Sequence, residues 1–102
     1  MVRGGEAYND ATMEDAKYVG LTDEFTVITN GEKIAGTVYR RLQGIAKDAV
    51  DNADVILSKG QANYESFAGE GHHAFFTFLC KCDLFVSRFN VPRLTGMFVE
   101  EA

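Results

Sequence analysis

The sequence predicts an α/β fold with a parallel, Rossmann-like sheet and flanking helices. Strand-like and helix-like segments alternate along the 102 residues, and the strand-like runs are short and nearly continuous in apolar residues. Continuous apolar strands are typical of parallel sheets whose two faces are covered by helices. A β-α-β-α-β order also favours parallel pairing through crossover connections. At this length we expect at most one small domain.

Two predicted helices surround one predicted strand in the first half of the chain. Thr12 and Asp15 have the spacing of a capping box, which begins a helix that Gly20 ends. The β-branched and aromatic run FTVIT, residues 25–29, has the composition of a strand. Apolar residues then recur at helical spacing over residues 37–50, which predicts the second helix.

The second half is predicted to contain three strands and a helix. DVILS, residues 54–58, and DLFVS, residues 83–87, share a pattern in which an aspartate precedes three apolar residues and a serine. We interpret both runs as strands, with the apolar segment FFTFL, residues 75–79, as a helix between them. GMFVE, residues 96–100, is interpreted as a last strand.

The composition excludes several classes of function. An apolar share of 46% and a charged share of 25% are typical of folded globular proteins. The net charge of −5 argues against general binding to nucleic acids or anionic membranes, since neither polyanion is attracted. No apolar run approaches the roughly 18 residues of a membrane-spanning helix. Cys80 and Cys82 are too close for an ordinary disulfide and lack a second pair for zinc, which indicates reduced thiols in a cytoplasmic protein.

Lysine and glycine follow the predicted strand that ends at residue 58. Because parallel sheets bind ligands outside the carboxyl ends of their strands, Gly60 would let the backbone approach an anion and Lys59 would supply a positive charge. Thr37 follows Gly36 at the start of a predicted helix, where backbone N–H groups bind anions. The residues alone leave alternatives open, which are a plain turn with a solvated lysine and ordinary capping by Thr37.

Several motifs, in one order, resemble those of the damage-control phosphatases, a metal-dependent family. KGQANYES, residues 59–66, resembles the family's Lys-Gly-x-x-Asn-Tyr signature, and RGGEAYNDATMEDAKYVGL, residues 3–21, is similar to its stretch carrying Asn-Asp-Ala-Thr. GTVY, ADVILSKGQANYE and KCDLFVSRFNV follow in the family's order and spacing. The resemblance covers nearly the whole chain. It implies a phosphatase that acts on small phosphate esters, such as sugar or cofactor phosphates.

The resemblance also implies roles for individual residues. Asp10 matches a metal-binding aspartate, and a carboxylate suits a divalent ion such as manganese, magnesium, nickel or cobalt. Lys59 and Gly60 match the phosphate-binding turn, and Asn63 matches the amide of the motif, which implies a donor to the phosphate or to a bound water. Lys59 and Asp10 are then the catalytic candidates. The structural alternatives are a turn aspartate for Asp10 and a helix cap for Asn63.

Members of the family are longer, and an Asp-Asn pair upstream of the region seen here holds part of their metal. Residues 1–102 therefore resemble the C-terminal α/β portion of a larger domain. Asp51 and Asn52 have the same residue types as that pair, but they lie at the end of a predicted helix, where Asp and Asn are common turn residues. We expect a small phosphorylated metabolite as substrate, and either a homo-oligomer or association with the missing N-terminal half. A non-catalytic phosphate-binding or oligomerisation module is the alternative.

Overall fold

The computed structural model describes residues 1–102 and contains five α-helices, one 3₁₀ helix and three β-strands. The α-helices are α1 (Met13–Tyr18), α2 (Leu21–Glu24), α3 (Gly44–Asp51), α4 (Gln61–Phe67) and α5 (Asp83–Phe89). The 3₁₀ helix spans Tyr39–Arg41, and the strands are β1 (Leu57–Lys59), β2 (Ala74–Leu79) and β3 (Gly96–Glu101). The chain divides into two compact units, residues 1–53 and residues 54–102. None of the helices combines the length and the apolar character that crossing a membrane requires.

In the first unit, α1 begins at the capping box that the sequence predicts. The Thr12 hydroxyl accepts the Asp15 N–H at 3.5 Å, and the Asp15 carboxylate accepts the Thr12 N–H at 2.9 Å. These bonds satisfy donors that the start of a helix leaves unpaired. Gly20, with φ +81°, follows the end of α1 in the left-handed conformation that glycine adopts without strain.

Residues 25–29 do not form the predicted strand. The segment makes one parallel bridge, between Val2 and Thr29, in which the Val2 N–H donates to the Ile28 carbonyl at 2.8 Å. Strands are stabilised by pairing along their length, and only residue 2 pairs with this run. The β-branched composition therefore marks an extended segment that lacks a neighbouring strand.

The predicted helix over residues 37–50 is divided in two. The 3₁₀ helix ends at Arg41. Leu42, which follows it, is buried and extended (φ −69°, ψ 142°), and Gln43 is also extended before α3 begins. The apolar spacing therefore identified α3 but placed its start too early. Thr37 precedes the 3₁₀ helix and does not open a helix as predicted.

The second unit is an α/β structure built on a three-stranded sheet in the order β1-β2-β3. The predicted parallel pairing is present between β1 and β2, with Leu57 opposite Phe75. β3 is antiparallel to β2, so the sheet is mixed. The backbone of Cys80, directly after β2, accepts the Leu94 N–H at 2.7 Å and donates to the Thr95 carbonyl at 2.9 Å. After α5 the chain therefore comes back to the carboxyl end of β2, and β3 runs antiparallel to β2 from there. The α/β fold class is confirmed.

The segment predicted as a helix at residues 75–79 is β2. The side chains of Ala74, Phe76 and Phe78 are buried, while the residues between them are less buried, which is the two-residue period of a strand. The prediction was wrong because a short aromatic run fits a buried helix or a buried strand equally well. Aromatic residues are in fact enriched in strands.

The segment predicted as a strand at residues 83–87 belongs to α5. Phe85 and Phe89 lie one helical turn apart, with ring centroids 5.9 Å from each other. Asp83 stands in the first turn, where a negative charge is stabilised by the helix dipole. DLFVS and DVILS therefore share a sequence pattern but not a secondary structure, and the aspartate of DLFVS marks a helix start.

An aromatic core lies between the sheet and the helices α4 and α5. The ring of Tyr64 is at its centre, with centroid distances of 5.1 Å to Phe76, 4.7 Å to Phe78 and 5.5 Å to Phe85. Aromatic pairs at these separations contribute about 0.5–1.5 kcal/mol each beyond the burial of their surface. The core therefore fixes α4, and with it the turn that precedes α4.

The opposite face of the sheet, which we call the outer sheet face, is formed by Leu57, Phe75, Leu79 and Phe98. Leu57 is 66% exposed and Phe98 is 67% exposed. The rings of Phe75 and Phe98 stack at 5.8 Å. This face carries an apolar surface that no helix of the second unit covers.

Candidate functional site

The Lys59–Asn63 turn connects β1 to α4 at the carboxyl end of the strand. Gly60 has φ +108° and ψ 142°, a conformation that only glycine adopts readily. The Gly60 N–H donates to the Thr77 carbonyl at 2.8 Å, which ties the turn to β2. The Lys59 side chain is exposed, and its ammonium group forms no ion pair. The sequence placed Lys59 and Gly60 correctly in the fold, and their role in phosphate binding stays a prediction.

Asn63 closes this turn from within the helix. Its Nδ2 donates to the Lys59 carbonyl oxygen at 2.6 Å. Gly60 is the N-cap of α4, so Asn63 is not the cap residue that the structural alternative required. The side chain of Asn63 therefore holds the backbone of Lys59, which places both residues in one rigid turn.

Lys81 is a candidate that the sequence interpretation missed. It lies two residues after the end of β2, and its N–H donates to the Gln61 Oε1 at 2.9 Å. Arg93 donates to the Lys81 carbonyl at 3.1 Å. The Lys81 side chain is exposed, as that of Lys59 is. The signal was the lysine directly after the apolar run, which becomes visible once residues 74–79 are recognised as a strand.

Tyr64 belongs to the core and does not line an open site. It is 2% exposed, and burial, together with a hydrogen bond to Glu101, raises the pKa of Tyr64 to about 12. A hydroxyl with this pKa stays neutral and donates to the carboxylate. The ring of Tyr64 packs against the sheet.

Asp10 lies in the first unit and is held by Arg3. Both Nε and Nη2 of Arg3 contact the same carboxylate oxygen, Oδ2, at 3.0 Å. The other oxygen, Oδ1, forms no hydrogen bond, and the side chain is 35% exposed. The Asp10 N–H donates to the Ala7 carbonyl at 3.1 Å, so the residue also closes a turn. The turn and a ligand role are compatible, because the turn uses the backbone only.

Thr37 is linked to the same cluster of residues. Its Oγ1 accepts the Asn30 Nδ2 at 3.2 Å, and Nη1 of Arg3 donates to the carbonyl of the preceding Gly36. The structure therefore brings Asp10 and Thr37 together around Arg3 and Asn30 within the first unit. Lys59, Gly60 and Asn63 are brought together within the second unit.

Asp10 fits a divalent metal ion by type of donor, since a carboxylate oxygen is a preferred ligand of manganese and magnesium. No group of three or more His, Cys, Asp or Glu side chains converges to hold a metal ion. Asp51 accepts hydrogen bonds from the Tyr39 hydroxyl at 2.6 Å and from the Lys47 ammonium at 2.7 Å. Asn52 donates to the Asp48 carbonyl at 2.8 Å. Asp51 and Asn52 therefore close α3, and Asp10 is the ligand candidate.

A cavity of about 560 Å³ opens elsewhere in the first unit. An ion pair between Arg41 and Glu32, at 2.8 Å and 3.1 Å, forms part of its wall. Asn30 is the one member of the Arg3 cluster that lines it. Asp10 and Thr37 lie outside its lining, and we assign no ligand to this cavity.

Comparisons with known proteins agree with the motifs. Residues 1–95 match the damage-control phosphatase ARMT1-like domain. The chain is 34% identical over 90 residues to a damage-control phosphatase of Pyrococcus horikoshii, which covers 87% of this chain and 31% of that protein. It is also 34% identical over 87 residues to a damage-control phosphatase of Archaeoglobus fulgidus, covering 81% of this chain and 30% of that protein.

A solved structure gives the same result. The crystal structure of a DUF89 family protein from Pyrococcus horikoshii matches with a TM-score of 0.89 at 30% identity, covering 99% of this chain and 36% of that chain. The chain thus spans about a third of the length of these relatives. Because the family match extends over residues 1–95, the chain belongs to the damage-control phosphatase family.

Proposed function

We propose that the chain is the part of a metal-dependent phosphatase that binds phosphate, with small phosphate esters such as sugar or cofactor phosphates as substrates. The Lys59–Asn63 turn carries this proposal. In a member of the damage-control phosphatase family, an exposed lysine stands at the carboxyl end of a parallel strand, beside a glycine with φ +108°. This is the edge at which parallel sheets bind ligands.

The residues of the turn have separate roles in this proposal. Lys59 supplies a positive charge that neutralises the phosphate and the additional charge of the transition state. Gly60 provides the sharp bend. Its own N–H is not available to the phosphate, since it is already bonded to the Thr77 carbonyl. Asn63 fixes the backbone of Lys59 through the 2.6 Å bond. Lys81, after the adjacent strand, is a second cation for the same phosphate.

In the first unit, Asp10 is proposed to bind a divalent ion (manganese, magnesium, nickel or cobalt) through Oδ1. When bound, such an ion polarises phosphoryl oxygens and orients the nucleophile. The backbone at Thr37 is proposed as an additional anion contact. One carboxylate binds a divalent ion weakly, with an affinity no better than roughly millimolar. We therefore propose that an N-terminal half of the domain, or a second copy of the chain, supplies further ligands. The two free cysteines support a cytoplasmic location.

A non-catalytic phosphate-binding or oligomerisation module is the second candidate. The observation in its favour is that no three His, Cys, Asp or Glu side chains converge in the structure. It keeps the role of the Lys59–Asn63 turn in phosphate binding and omits hydrolysis. Phosphate binding and turnover must therefore be measured separately.

The test compares the wild-type chain with Lys59→Met. Hydrolysis of p-nitrophenyl phosphate with manganese measures turnover in the chain joined to an N-terminal half that supplies the further metal ligands. Amide chemical shifts during titration of the chain with inorganic phosphate measure binding. We expect Lys59→Met to reduce both by at least about tenfold, since a charged hydrogen bond contributes about 1.5–3 kcal/mol. The melting temperature should be unchanged, because the Lys59 side chain is exposed and forms no ion pair.

Lys17→Met is the matched control, because Lys17 is an exposed lysine in α1. Equal losses in both variants, or no loss in Lys59→Met, would contradict the role of Lys59. Phosphate binding that depends on Lys59, without turnover even when the chain is joined to an N-terminal half, would favour the non-catalytic module.

A further inference from the structure

We propose that Arg3 and Asn30 are positioning residues that hold the carboxylate of Asp10 and the Gly36–Thr37 turn in one fixed arrangement. This inference rests on the proposed role of Asp10 as a metal ligand. It adds two residues to which the predicted site gave no role. Both are buried polar side chains, with exposed fractions of 8% and 5%.

Arg3 has a buried charge whose partners are all identified. Two of its nitrogens contact Oδ2 of Asp10 at 3.0 Å, and the third, Nη1, donates to the Gly36 carbonyl. A buried guanidinium requires such partners, because an unpaired charge in the interior is strongly unfavourable. Its planar fork therefore fixes one oxygen of Asp10 and leaves the other, Oδ1, available.

Asn30 holds the same turn from the other side. Its Oδ1 accepts the N–H groups of Gly4 at 3.0 Å and of Glu32 at 3.2 Å. Its Nδ2 donates to the Thr37 hydroxyl at 3.2 Å and approaches the Gly36 carbonyl at 3.5 Å. The Gly36 carbonyl is thus contacted by both buried side chains, which couples Asp10 to Thr37.

Gly4 keeps the backbone of Arg3 close to this network. The Gly4 N–H donates to the Glu32 carbonyl at 3.0 Å. A Cβ atom at residue 4 would lie 2.4 Å from the Glu32 nitrogen, a distance at which the backbone must move. The absence of a side chain at residue 4 therefore allows Arg3 to reach both of its partners.

Arg3 has two opposite effects on a cation at Asp10. Its positive charge weakens the binding of a second cation, while its fork presents Oδ1 in one orientation. Arg3→Lys separates the two effects, because lysine keeps the charge but cannot make both contacts of a planar fork. A loss of metal affinity in Arg3→Lys therefore reports orientation and not charge.

The experiment uses the full chain labelled with ¹⁵N and titrated with manganese, whose unpaired electrons broaden nearby amide resonances even when binding is weak. We expect the amides flanking Asp10 to broaden first in the wild type. Arg3→Lys should require at least about tenfold more manganese, which is the usual cost of losing a hydrogen-bonding partner of a metal ligand. Arg41→Lys is the matched control, because Arg41 pairs with Glu32 and not with Asp10. Its titration should equal that of the wild type.

Asp10→Ala separates a failure of the proposed metal site from a failure of the positioning role of Arg3. Broadening that persists in Asp10→Ala would refute the metal site itself. Broadening that Asp10→Ala abolishes, with Arg3→Lys equal to the wild type, would overturn only the positioning role. If Arg3→Lys loses its dispersed spectrum, Asn30→Ser decides, since it removes contacts to the same turn without altering Arg3. Weaker manganese binding in folded Asn30→Ser supports the inference, and unchanged binding overturns it.

Discussion

Gly60→Ala is the substitution that most directly probes the Lys59–Asn63 turn. Gly60 has φ +108° and ψ 142°, in a region that residues with a Cβ atom rarely enter. The space beside it is sufficient for a methyl group, since the nearest atom to a Cβ at this position would be Nδ2 of Asn63 at 3.7 Å. The expected effect therefore comes from backbone strain and not from a steric clash.

The size of the effect follows from this conformation. Holding a non-glycine residue in a sparsely populated region costs about 1–3 kcal/mol. If the backbone relaxes instead, it loses the 2.8 Å bond from the Gly60 N–H to Thr77, a loss of similar size. We therefore expect the free energy of unfolding to fall by about 1–3 kcal/mol. Each kcal/mol lowers the melting temperature of a domain of this size by about 4–8 °C.

Urea unfolding followed by circular dichroism measures the loss, with Gly96→Ala as the control. Gly96 opens β3, its φ is not in the left-handed region, and a Cβ there would meet no atom within 4 Å. We expect Gly96→Ala to change stability by no more than about 1 kcal/mol. Equal stabilities of the two variants would refute the conclusion that the turn requires glycine.

Two further predictions concern the core and the outer sheet face. Because burial raises the pKa of Tyr64 to about 12, its neutral hydroxyl stabilises the fold below about pH 10, and that contribution is lost as the pH rises towards 12. Urea unfolding should therefore show a steeper loss of stability above about pH 10 in the wild type than in Tyr64→Phe, with equal slopes contradicting the shift. The outer sheet face predicts self-association, which Phe98→Glu should weaken at least about tenfold in sedimentation experiments while the exposed control Leu84→Glu does not. A strictly monomeric wild type at high concentration would disprove this.

The elements predicted correctly are those whose signals are local. The capping box of Thr12 and Asp15 and the strand signal of residues 54–58 depend on neighbouring residues only, although β1 begins at Leu57 and not at residue 54. Residues 75–79 were predicted as a helix and residues 83–87 as a strand, the reverse of what the structure shows, because short aromatic runs satisfy the period of a strand and of a helix. Residues 25–29 failed for a different reason, since a strand also requires a partner, which the local sequence does not contain.

The same distinction between local and long-range contacts decides which parts of the candidate site the sequence could predict. The Lys59–Asn63 turn depends on contacts between residues four apart, so the motif itself indicates it. The arrangement of Asp10 depends on Arg3, whose other partner, Gly36, is 33 residues distant. A lone arginine near the beginning of a chain has no pattern that predicts burial, and most arginines are exposed. The role of Arg3 therefore emerges only from the folded structure.

The adjacency of Asn63 and Tyr64 explains why one short motif contains both polar and aromatic residues. The Asn63 side chain holds the Lys59 carbonyl at 2.6 Å, and the Tyr64 N–H donates to the Gly60 carbonyl at 3.0 Å. The Tyr64 ring is packed at the centre of the aromatic core. Because successive residues of a helix point about 100° apart, one side chain faces the turn while the next is fixed in the core. The rigidity of the core is thereby transmitted to the backbone of Lys59, while the lysine side chain stays in solvent, where it can meet an anion.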